Sequence, residues 1–276
     1  MSATETTPAP ERGPEQSLVP NLSALAFTPK PRTDLTPDAP DGRYCLDLPD
    51  DTIQCDSSVV VLRNALPFTD EQTQELRTFI LDETKVPKTP NPMNANYYVK
   101  RRQTTFGALY SFGQKMASQG PDQRWPQAVT DALQFAQQFA EARGIAKELY
   151  NGVHANFYPD GSSGVAPHSD AEGDMLRGMP IISMTLLSGD KKPRPFSIYE
   201  KPAKKGEKPL KIADVVLGHG DVIVMMGRMQ ESFLHGVEAA KPPKEFKNAE
   251  RMNLTVRAFT PDAVSYAGQK RPRESV

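Results

Sequence analysis

Six short runs of β-favouring residues in the second half of the chain constrain the fold more than any other feature. Val, Ile, Leu, Met and aromatic residues recur in these runs, and Gly, Pro, Asp and Lys are frequent between them. Short strands that follow one another in this way are typical of sandwiches and jelly rolls. The runs are Val153–Tyr158, Ile181–Leu187, Phe196–Tyr199, Ile212–Val216, Asp221–Met226 and Met252–Phe259.

Two helices are predicted before these strands. Thr69 and Gln72 form a capping-box pattern, so a helix should start there and run to about Glu83. Pro126 suits the first turn of a longer helix, and Gly144 suits its C-terminal cap. The apolar stripes of the two helices are Leu76, Phe79 and Ile80, and Val129, Leu133, Ala136, Phe139 and Ala140. We therefore predict an α+β fold, a double-stranded β-helix (jelly roll) core buttressed by N-terminal helices.

The first half of the chain, which holds both predicted helices, should also hold three strands, at Ser58–Leu62, Tyr97–Lys100 and Gln103–Phe112. Eight prolines fall within the first 40 residues, which cannot bury enough apolar surface to offset their loss of conformational entropy. The predicted organisation is a disordered Pro-rich tail (1–42), one domain (43–262) and a polar tail (263–276). Within the domain, residues 43–150 supply the helical support and residues 151–262 form the jelly-roll core.

Composition argues against several functional classes. The formal net charge of −1 and the pI of about 6.5 do not indicate a globally basic nucleic-acid-binding protein. No segment approaches the roughly 18 apolar residues of a membrane span, and the N-terminus lacks the apolar core of a signal peptide. Cys45 and Cys55 are too few for a disulfide framework or a Cys-rich zinc site, which indicates a reducing compartment. We expect an intracellular monomer, in the nucleus, the cytoplasm or both, without membrane binding.

Basic residues nevertheless cluster locally. The clusters lie at 191–194, 201–211 and 241–247, and they suit either phosphate binding or solvated loops. The segment Lys270-Arg-Pro-Arg273 suits either nuclear import or a soluble end.

His168 and Asp170 are the first candidates for a metal site. In an extended segment residues i and i+2 point to the same face, so this imidazole and carboxylate can bind one ion. A second such pair, His219 and Asp221, leads directly into an apolar run and is better explained as a turn before a core strand. His235 then completes a set of two histidines and one carboxylate, the arrangement of non-haem Fe(II) oxygenases. Zinc can bind the same ligands.

The segment Arg251-Met-Asn-Leu-Thr-Val-Arg257 predicts a strand with one polar and one apolar face. Arg251, Asn253, Thr255 and Arg257 share the polar face. Two buried arginines need an anionic partner, and guanidinium groups bind carboxylates bidentately. A dicarboxylate such as 2-oxoglutarate meets that need, whereas a solvated edge strand is the alternative for this segment taken alone.

Together these motifs resemble the AlkB family of Fe(II)/2-oxoglutarate dioxygenases, and within it the homologues that repair alkylated DNA. The resemblance covers about residues 58 to 260, and the Arg-x-Asn-x-Thr-x-Arg strand makes it specific. The motifs are Asn156-Phe-Tyr-Pro-Asp-Gly161, His168-Ser-Asp170, Leu217-Gly-His-Gly-Asp-Val-Ile-Val-Met-Met226, His235 and Arg251-Met-Asn-Leu-Thr-Val-Arg257. Upstream, Arg101-Arg-Gln-Thr-Thr-Phe-Gly107 and Tyr110-Ser-Phe112 resemble the family's nucleotide-recognition lid.

The resemblance implies the cofactors Fe(II), 2-oxoglutarate and O2, and oxidative demethylation of bases in DNA or RNA with release of formaldehyde, succinate and CO2. The residues implied to bind iron are His168, Asp170 and His235. Those implied to hold 2-oxoglutarate are Asn156, Tyr158, Arg251, Asn253, Thr255 and Arg257. Those implied to contact the substrate are Arg101, Arg102, Gln103, Tyr110, Phe112 and Glu172, with Arg101 or Arg102 on phosphate.

The chain departs from the family pattern at two places. In the repair enzymes an acidic residue commonly follows His-x-Asp, and here Ala171 stands there with Glu172 next. The family's duplex-probing aromatic finger has its nearest counterparts in Tyr97 and Tyr98, which equally suit two buried strand tyrosines. The alternative functions are therefore the same chemistry on protein side chains or small molecules, and a binding module without catalysis.

Overall fold

Strands dominate the computed structural model of the protein, which describes residues 28–47, 55–91, 94–108, 118–120, 123–170, 174–204, 206–240 and 243–260. The helices are α1 (Asp70–Leu81), α2 (Gln127–Glu141) and α3 (Met229–Ser232). The strands before α2 are β1 (Gly42–Cys45), β2 (Ser57–Leu62), β3 (Pro90–Asn91), β4 (Asn94–Tyr98), β5 (Arg102–Gly107) and β6 (Ser118–Gln119). Those after it are β7 (Tyr150–Tyr158), β8 (Val165–His168), β9 (Ile181–Gly189), β10 (Arg194–Glu200), β11 (Leu210–Leu217), β12 (Val222–Gly227), β13 (Phe233–Val237) and β14 (Ala249–Ala258).

The strands form two facing sheets and a hairpin. The larger sheet has the order β1-β2-β12-β9-β14-β7-β5-β6, and the smaller sheet has the order β11-β10-β13-β8. The hairpin consists of β3 and β4. The two sheets are the jelly-roll core that the sequence predicts, and α1 and α2 pack on the outer face of the larger sheet.

The larger sheet is buried on both faces, which explains its unbroken apolar runs. In β2, Val60 and Leu62 belong to the cluster that includes the helices. Val59 and Val61 belong to the cluster between the two sheets. Because side chains alternate along a strand, each run of consecutive valines serves two cores at once.

The helices begin where the sequence predicts. Thr69 caps α1, and the reciprocal bonds of the capping box join Thr69 and Gln72. The helix ends at Leu81 rather than near Glu83, because Asp82 already has an extended conformation with ψ of 105°. Pro126 is the N-cap of α2. Its C-cap is Ala142 rather than the predicted Gly144, which lies two residues further on with φ of +69°, the left-handed conformation that glycine adopts most easily.

The predicted boundary of the N-terminal tail is wrong for residues 28–42, because they are part of the fold. Lys30 exchanges backbone hydrogen bonds with Arg43 and Cys45, each 2.8 Å long. Leu35 and Ala39 are buried in the cluster between the sheets. Short polar segments of this kind gain order from long-range pairing, which periodicity does not reveal. Residues 1–27 and 261–276, and so both predicted tail ends, lie outside the described residues.

The cysteines also depart from expectation. Cys45 and Cys55 form a disulfide between Cα atoms 5.6 Å apart. Cys45 ends β1 and Cys55 lies just before β2. These strands are antiparallel neighbours, so the end of the first lies close to the start of the second. The cysteine content therefore gives no argument for a reducing compartment. None of the described helices is long and apolar enough to cross a membrane.

The strands of the predicted lid have different bounds from those expected. The first is β4, which covers Asn94–Tyr98 rather than Tyr97–Lys100, and the second is β5, which ends at Gly107 and not at Phe112. Tyr110 and Phe112 lie outside the described residues, as do Ala171 and Glu172.

Candidate active site

A polar cavity of about 440 Å³ lies between the two sheets. On one side it is lined by β14, β7 and the start of β5, and on the other by β8 and β13. The polar face of β14 predicted from the alternation of Arg251–Arg257 faces this cavity, while Met252, Leu254 and Val256 pack toward the helices.

His168, Asp170 and His235 lie together at one side of the cavity. The Nε2 atoms of His168 and His235 are each 3.8 Å from a carboxylate oxygen of Asp170. Ligand atoms of the three residues lie within 4.8 Å of one another. His168 and His235 are register partners in β8 and β13, which explains how residues far apart in sequence meet.

Neighbouring groups orient these side chains. The Nδ1 atom of His168 is 2.9 Å from the carbonyl of Ala166, so Nδ1 carries the proton and the Nε2 lone pair faces the cluster. The backbone amide of Asp170 donates to Gln230 Oε1 at 2.9 Å. The ring of His235 stacks on Phe196, with centroids 5.3 Å apart and planes 14° from parallel.

Burial alone would raise the pKa of Asp170, but the charge of Arg257 and the two histidines outweighs burial and lowers it well below its usual range. Arg257 donates to Asp170 Oδ2 from Nε at 3.1 Å and from Nη2 at 2.7 Å. Burial, followed by the charge of His168, lowers the pKa of His235 to about 3. The cluster thus presents an ionised carboxylate at Asp170 and a neutral imidazole at His235, the forms in which these groups bind metals.

Arg251 is a buried cation with unused donors. It is 1% exposed, and its Nη2 donates to Thr185 Oγ1 at 3.2 Å. Its Nε and Nη1 have no hydrogen-bond partner among the described residues. Its guanidinium lies 5.5 Å from the centroid of the Tyr158 ring. Burial lowers its pKa to about 10, so the group remains charged and needs an anion.

The other polar residues on this side of the cavity differ in how many hydrogen-bonding atoms remain available to a ligand. Asn253 donates from Nδ2 to Ser183 Oγ at 2.7 Å and to the Met184 carbonyl at 3.0 Å. Thr255 donates to Asn253 Oδ1 at 2.9 Å. By contrast, Asn156 Oδ1 is buried with no partner among the described residues. Arg251 and Asn156 therefore leave the clearest vacant hydrogen-bonding capacity in the cavity.

The predicted substrate residues divide between the two faces of β5. Arg101 and Gln103 line the cavity. Arg102 points the other way and donates to the carbonyls of Val86 and Leu81. The prediction that Arg102 contacts substrate is therefore wrong, because neighbouring side chains of a strand point to opposite faces.

Tyr97 and Tyr98 are 64% and 59% exposed on the hairpin that precedes β5. The alternative of two buried strand tyrosines is thus wrong. Lys88 lies 6.0 Å from the centroid of the Tyr98 ring.

His219 and Asp221 have the structural role that the sequence predicts. His219 Nδ1 accepts from the amide of Leu187 at 3.0 Å, and Nε2 donates to the carbonyl of Phe68 at 2.7 Å. Asp221 pairs with Arg63 at 2.6 Å and accepts from the amides of Asn64 and Gly218. Both residues hold turns together.

Cys45, Asp47 and Cys55 form another group of possible ligands in the described part of the chain. Its two sulfurs are bonded to each other, so it offers fewer donors than the histidine cluster.

The sequence prediction gives no site role to two further buried residues, Arg194 and His154. Arg194, 1% exposed, belongs to a basic cluster expected to bind phosphate or solvent, yet it donates to the carbonyls of Ser163 and Glu238. It lies 5.8 Å from the centroid of the Tyr158 ring, which also faces Arg251. His154 lines the cavity beside Asn156, and the alternation of β7 is the signal that could have identified it.

The residues present fit a 2-oxoglutarate-dependent iron centre. Two histidines and one carboxylate form the ligand set of non-haem Fe(II) oxygenases, and they leave coordination positions for other ligands. The vacant donors of Arg251 suit a carboxylate.

Comparison with known proteins agrees with this geometry. The model of the 2OG-Fe(II) oxygenase superfamily matches residues 58–257. The DNA oxidative demethylase ALKBH2 of Mus musculus is 28% identical over 120 residues, which are 42% of this chain and 46% of the mouse protein. The DNA oxidative demethylase ALKBH2 of Bos taurus is 25% identical over 166 residues, which are 59% of this chain and 54% of the bovine protein. The matches thus span about half the length of these curated relatives.

Proposed function

This chain belongs to the 2OG-Fe(II) oxygenase superfamily, and we propose that it oxidatively demethylates alkylated bases in DNA or RNA. It is an AlkB-like dioxygenase that uses Fe(II), 2-oxoglutarate and O2. The nucleic-acid substrate is the proposed part. The names of the mouse and bovine relatives, which are DNA oxidative demethylases, support it.

The observation that carries the proposal is the pair of exposed tyrosines on the hairpin that precedes β5, the strand whose start lines the cavity. Tyr97 and Tyr98 stand on a hairpin that leads directly into Arg101 and Gln103, both of which line the cavity. Exposed aromatic rings stack on bases, and a nearby guanidinium binds phosphate or a base edge. A site for a small polar metabolite needs no exposed aromatic rings of this kind.

The substrate base has to leave a duplex to reach this cavity. The metal cluster lies between two sheets, and Asp170 and His235 are buried. Enzymes that act on bases therefore flip them or take single strands, and they stabilise the extruded base by stacking. The tyrosine hairpin suits either route.

The proposed roles of the residues follow from their contacts. His168, Asp170 and His235 hold Fe(II), and Arg257 keeps Asp170 ionised and oriented. Together, bound iron, 2-oxoglutarate and O2 supply the oxidation of an N-methyl group to a hydroxymethyl group, which is lost as formaldehyde. The predicted cosubstrate residues on β7 and β14 surround 2-oxoglutarate, and the vacant donors of Arg251 bind one of its carboxylates.

A substrate panel tests the proposal. The full chain is supplied with Fe(II), ascorbate and 2-oxoglutarate, and formaldehyde is measured with methylated single- and double-stranded DNA, methylated RNA and methylated peptides. We expect formaldehyde from at least one nucleic acid and none from peptides. His168→Ala is the inactive control. Release of formaldehyde from peptides alone would replace this proposal with a protein demethylase.

The tyrosine hairpin provides a second test. Replacing both Tyr97 and Tyr98 by alanine should raise KM for a methylated oligonucleotide by roughly tenfold, because stacking contributes about 1–3 kcal/mol per base. Succinate formation without nucleic acid should be unchanged. An unchanged KM would remove the hairpin from the substrate site.

The proposal includes a monomeric intracellular enzyme that acts in the nucleus, the cytoplasm or both, where its nucleic-acid substrates lie. Light scattering of the purified chain and imaging of the tagged full-length protein test these two points separately.

A further inference from the structure

His154 is a buried cavity residue that neither the metal cluster nor the predicted 2-oxoglutarate residues include. It is 7% exposed and lies on β7. It shares one face of this strand with Asn156 and Tyr158, and all three line the cavity. A buried histidine on a cavity wall presents a polar ring to whatever occupies the cavity, so His154 is placed to contact a ligand.

The register of the larger sheet places His154 between two functional strands. Its Cα partner in β14 is Thr255, and its Cα partner in β5 is Thr105. One step along β7, Asn156 is likewise flanked by Asn253 and Gln103. Each row of side chains thus runs from the proposed cosubstrate strand to the strand that carries the proposed base contacts.

Thr105, at one end of the row through His154, has unused hydrogen-bonding capacity. It lies on the same face of β5 as Gln103 and is 1% exposed. Its Oγ1 has no hydrogen-bond partner among the described residues. Buried hydroxyls are normally paired, so this row is better satisfied when a ligand or a water molecule lies near it.

Charged groups of the site act on His154 from several sides. Burial, followed by the positive charges of Arg257 and Arg101, lowers the pKa of His154 far below its usual range, against the charge of Asp170. The imidazole is therefore neutral at physiological pH and has one N–H donor and one acceptor nitrogen.

These properties suit a base better than 2-oxoglutarate. A carboxylate offers only acceptor oxygens, and the guanidinium of Arg251 already provides donors for it. The edge of a nucleobase carries donors and acceptors side by side, which a neutral imidazole matches. A neutral ring also avoids the repulsion that a positive charge would exert on a base made cationic by N-methylation.

We propose that His154 is a specificity-determining residue, which hydrogen-bonds the edge of the substrate base from the cavity wall formed by β7. This inference rests on the proposed function, since it assumes that a methylated base enters the cavity. It assigns to β7 a part in base recognition beside the residues of β5.

The experiment compares His154→Leu, His154→Gln and wild type, with His219→Gln as a matched control at a histidine outside the cavity. KM is measured separately for a methylated oligonucleotide and for 2-oxoglutarate. We expect His154→Leu to raise the oligonucleotide KM about tenfold, the loss of one to two hydrogen bonds. The KM for 2-oxoglutarate should change less than twofold. His154→Gln, which keeps a donor and an acceptor, should recover part of the loss.

The preference between two methylated bases is a second measurement, and it should not change if His154 has only a structural role. The ratio of kcat/KM for methyladenine and methylcytosine oligonucleotides should shift severalfold in His154→Gln, even if His154→Leu does not fold. An unchanged ratio and an unchanged oligonucleotide KM would overturn the inference. A change confined to cosubstrate affinity would also overturn it, by assigning His154 to 2-oxoglutarate binding. If wild type releases no formaldehyde from any methylated nucleic acid, the proposed function fails first and this inference falls with it.

Discussion

This protein has two His-x-Asp pairs, the first at His168 and Asp170 and the second at His219 and Asp221, and their histidines differ in how many ring nitrogens bind backbone groups. His219 binds backbone through both ring nitrogens, because Nδ1 accepts from Leu187 and Nε2 donates to Phe68. His168 binds backbone only through Nδ1, which donates to Ala166. His219 has no nitrogen left for a metal, whereas His168 directs its Nε2 lone pair toward Asp170.

The two aspartates differ in the same way. Each pairs with an arginine, Asp221 with Arg63 at 2.6 Å and Asp170 with Arg257 at 2.7 Å. Asp221 uses its remaining capacity on the amides of Asn64 and Gly218. The oxygens of Asp170 instead lie 3.8 Å from imidazole nitrogens, which attract it strongly only when a cation lies between them or a ring is protonated. A His-x-Asp motif can therefore offer an imidazole nitrogen to a metal only where backbone groups do not already bind both nitrogens of its histidine.

The largest expected effect is on catalysis, at the first pair. His168→Ala removes a proposed iron ligand, and succinate formation should fall more than about 100-fold. Even the loss of a residue that only hydrogen-bonds to a metal ligand lowers metal affinity or activity about 10- to 100-fold. The melting temperature should change little, because His168 is partly exposed. His219→Ala, assayed in parallel, should retain most of the activity at a temperature where it is folded. Equal losses of succinate formation in the two variants would show that the two pairs do not differ in function.

The next effect is on stability, at the second pair. Asp221→Ala leaves the Arg63 guanidinium and two backbone amides without their carboxylate. We expect the free energy of unfolding to fall by about 3 kcal/mol. Urea unfolding monitored by circular dichroism measures this change. A variant as stable as wild type would show that the turn does not depend on Asp221.

Arg257→Met sharpens the comparison at the first pair. Without the guanidinium, Asp170 is less firmly oriented and less strongly favoured in its ionised form. The affinity for Fe(II) should drop roughly 10- to 100-fold, measured by anaerobic titration. Arg63→Met is the matched change at the other pair, and it should leave Fe(II) affinity unaltered.

The smallest effect is expected from His219→Ala. It removes two hydrogen bonds between a side chain and the backbone, so the free energy of unfolding should fall by about 1–2 kcal/mol. Thermal melts with and without 2-oxoglutarate measure this. A loss of 2-oxoglutarate binding in the folded variant would contradict a purely structural role.

Local patterns in the sequence were sufficient for several elements. The capping box of Thr69 and Gln72, the alternation of Arg251–Arg257 and the glycine after α2 all report backbone geometry within a few residues. They predicted the start of α1 and the two faces of β14, and they placed the end of α2 within two residues of its C-cap at Ala142. The apolar run into β12 also distinguished His219 from the proposed metal ligands, because a core strand follows Asp221 directly.

Long-range partners were not available from such patterns. β8 and β13, which carry the two histidines of the proposed metal site, have four and five residues and were not among the predicted strands. Their histidines were identified by side-chain chemistry and by the family resemblance. Arg194 was grouped with exposed lysines, because composition does not reveal that a cation is buried against carbonyls. The pairing of Lys30 with β1 and the Cys45–Cys55 bond likewise depend on contacts that no periodicity records.

The most direct test of the difference between the two pairs is an anaerobic Fe(II) titration of wild type, His168→Ala and His219→Ala in the presence of 2-oxoglutarate, followed by the charge-transfer absorption of the complex. The ligand assignment predicts one Fe(II) per chain in wild type and in His219→Ala, and no such complex in His168→Ala. A complex that persists unchanged in His168→Ala, or that disappears in folded His219→Ala, would contradict it.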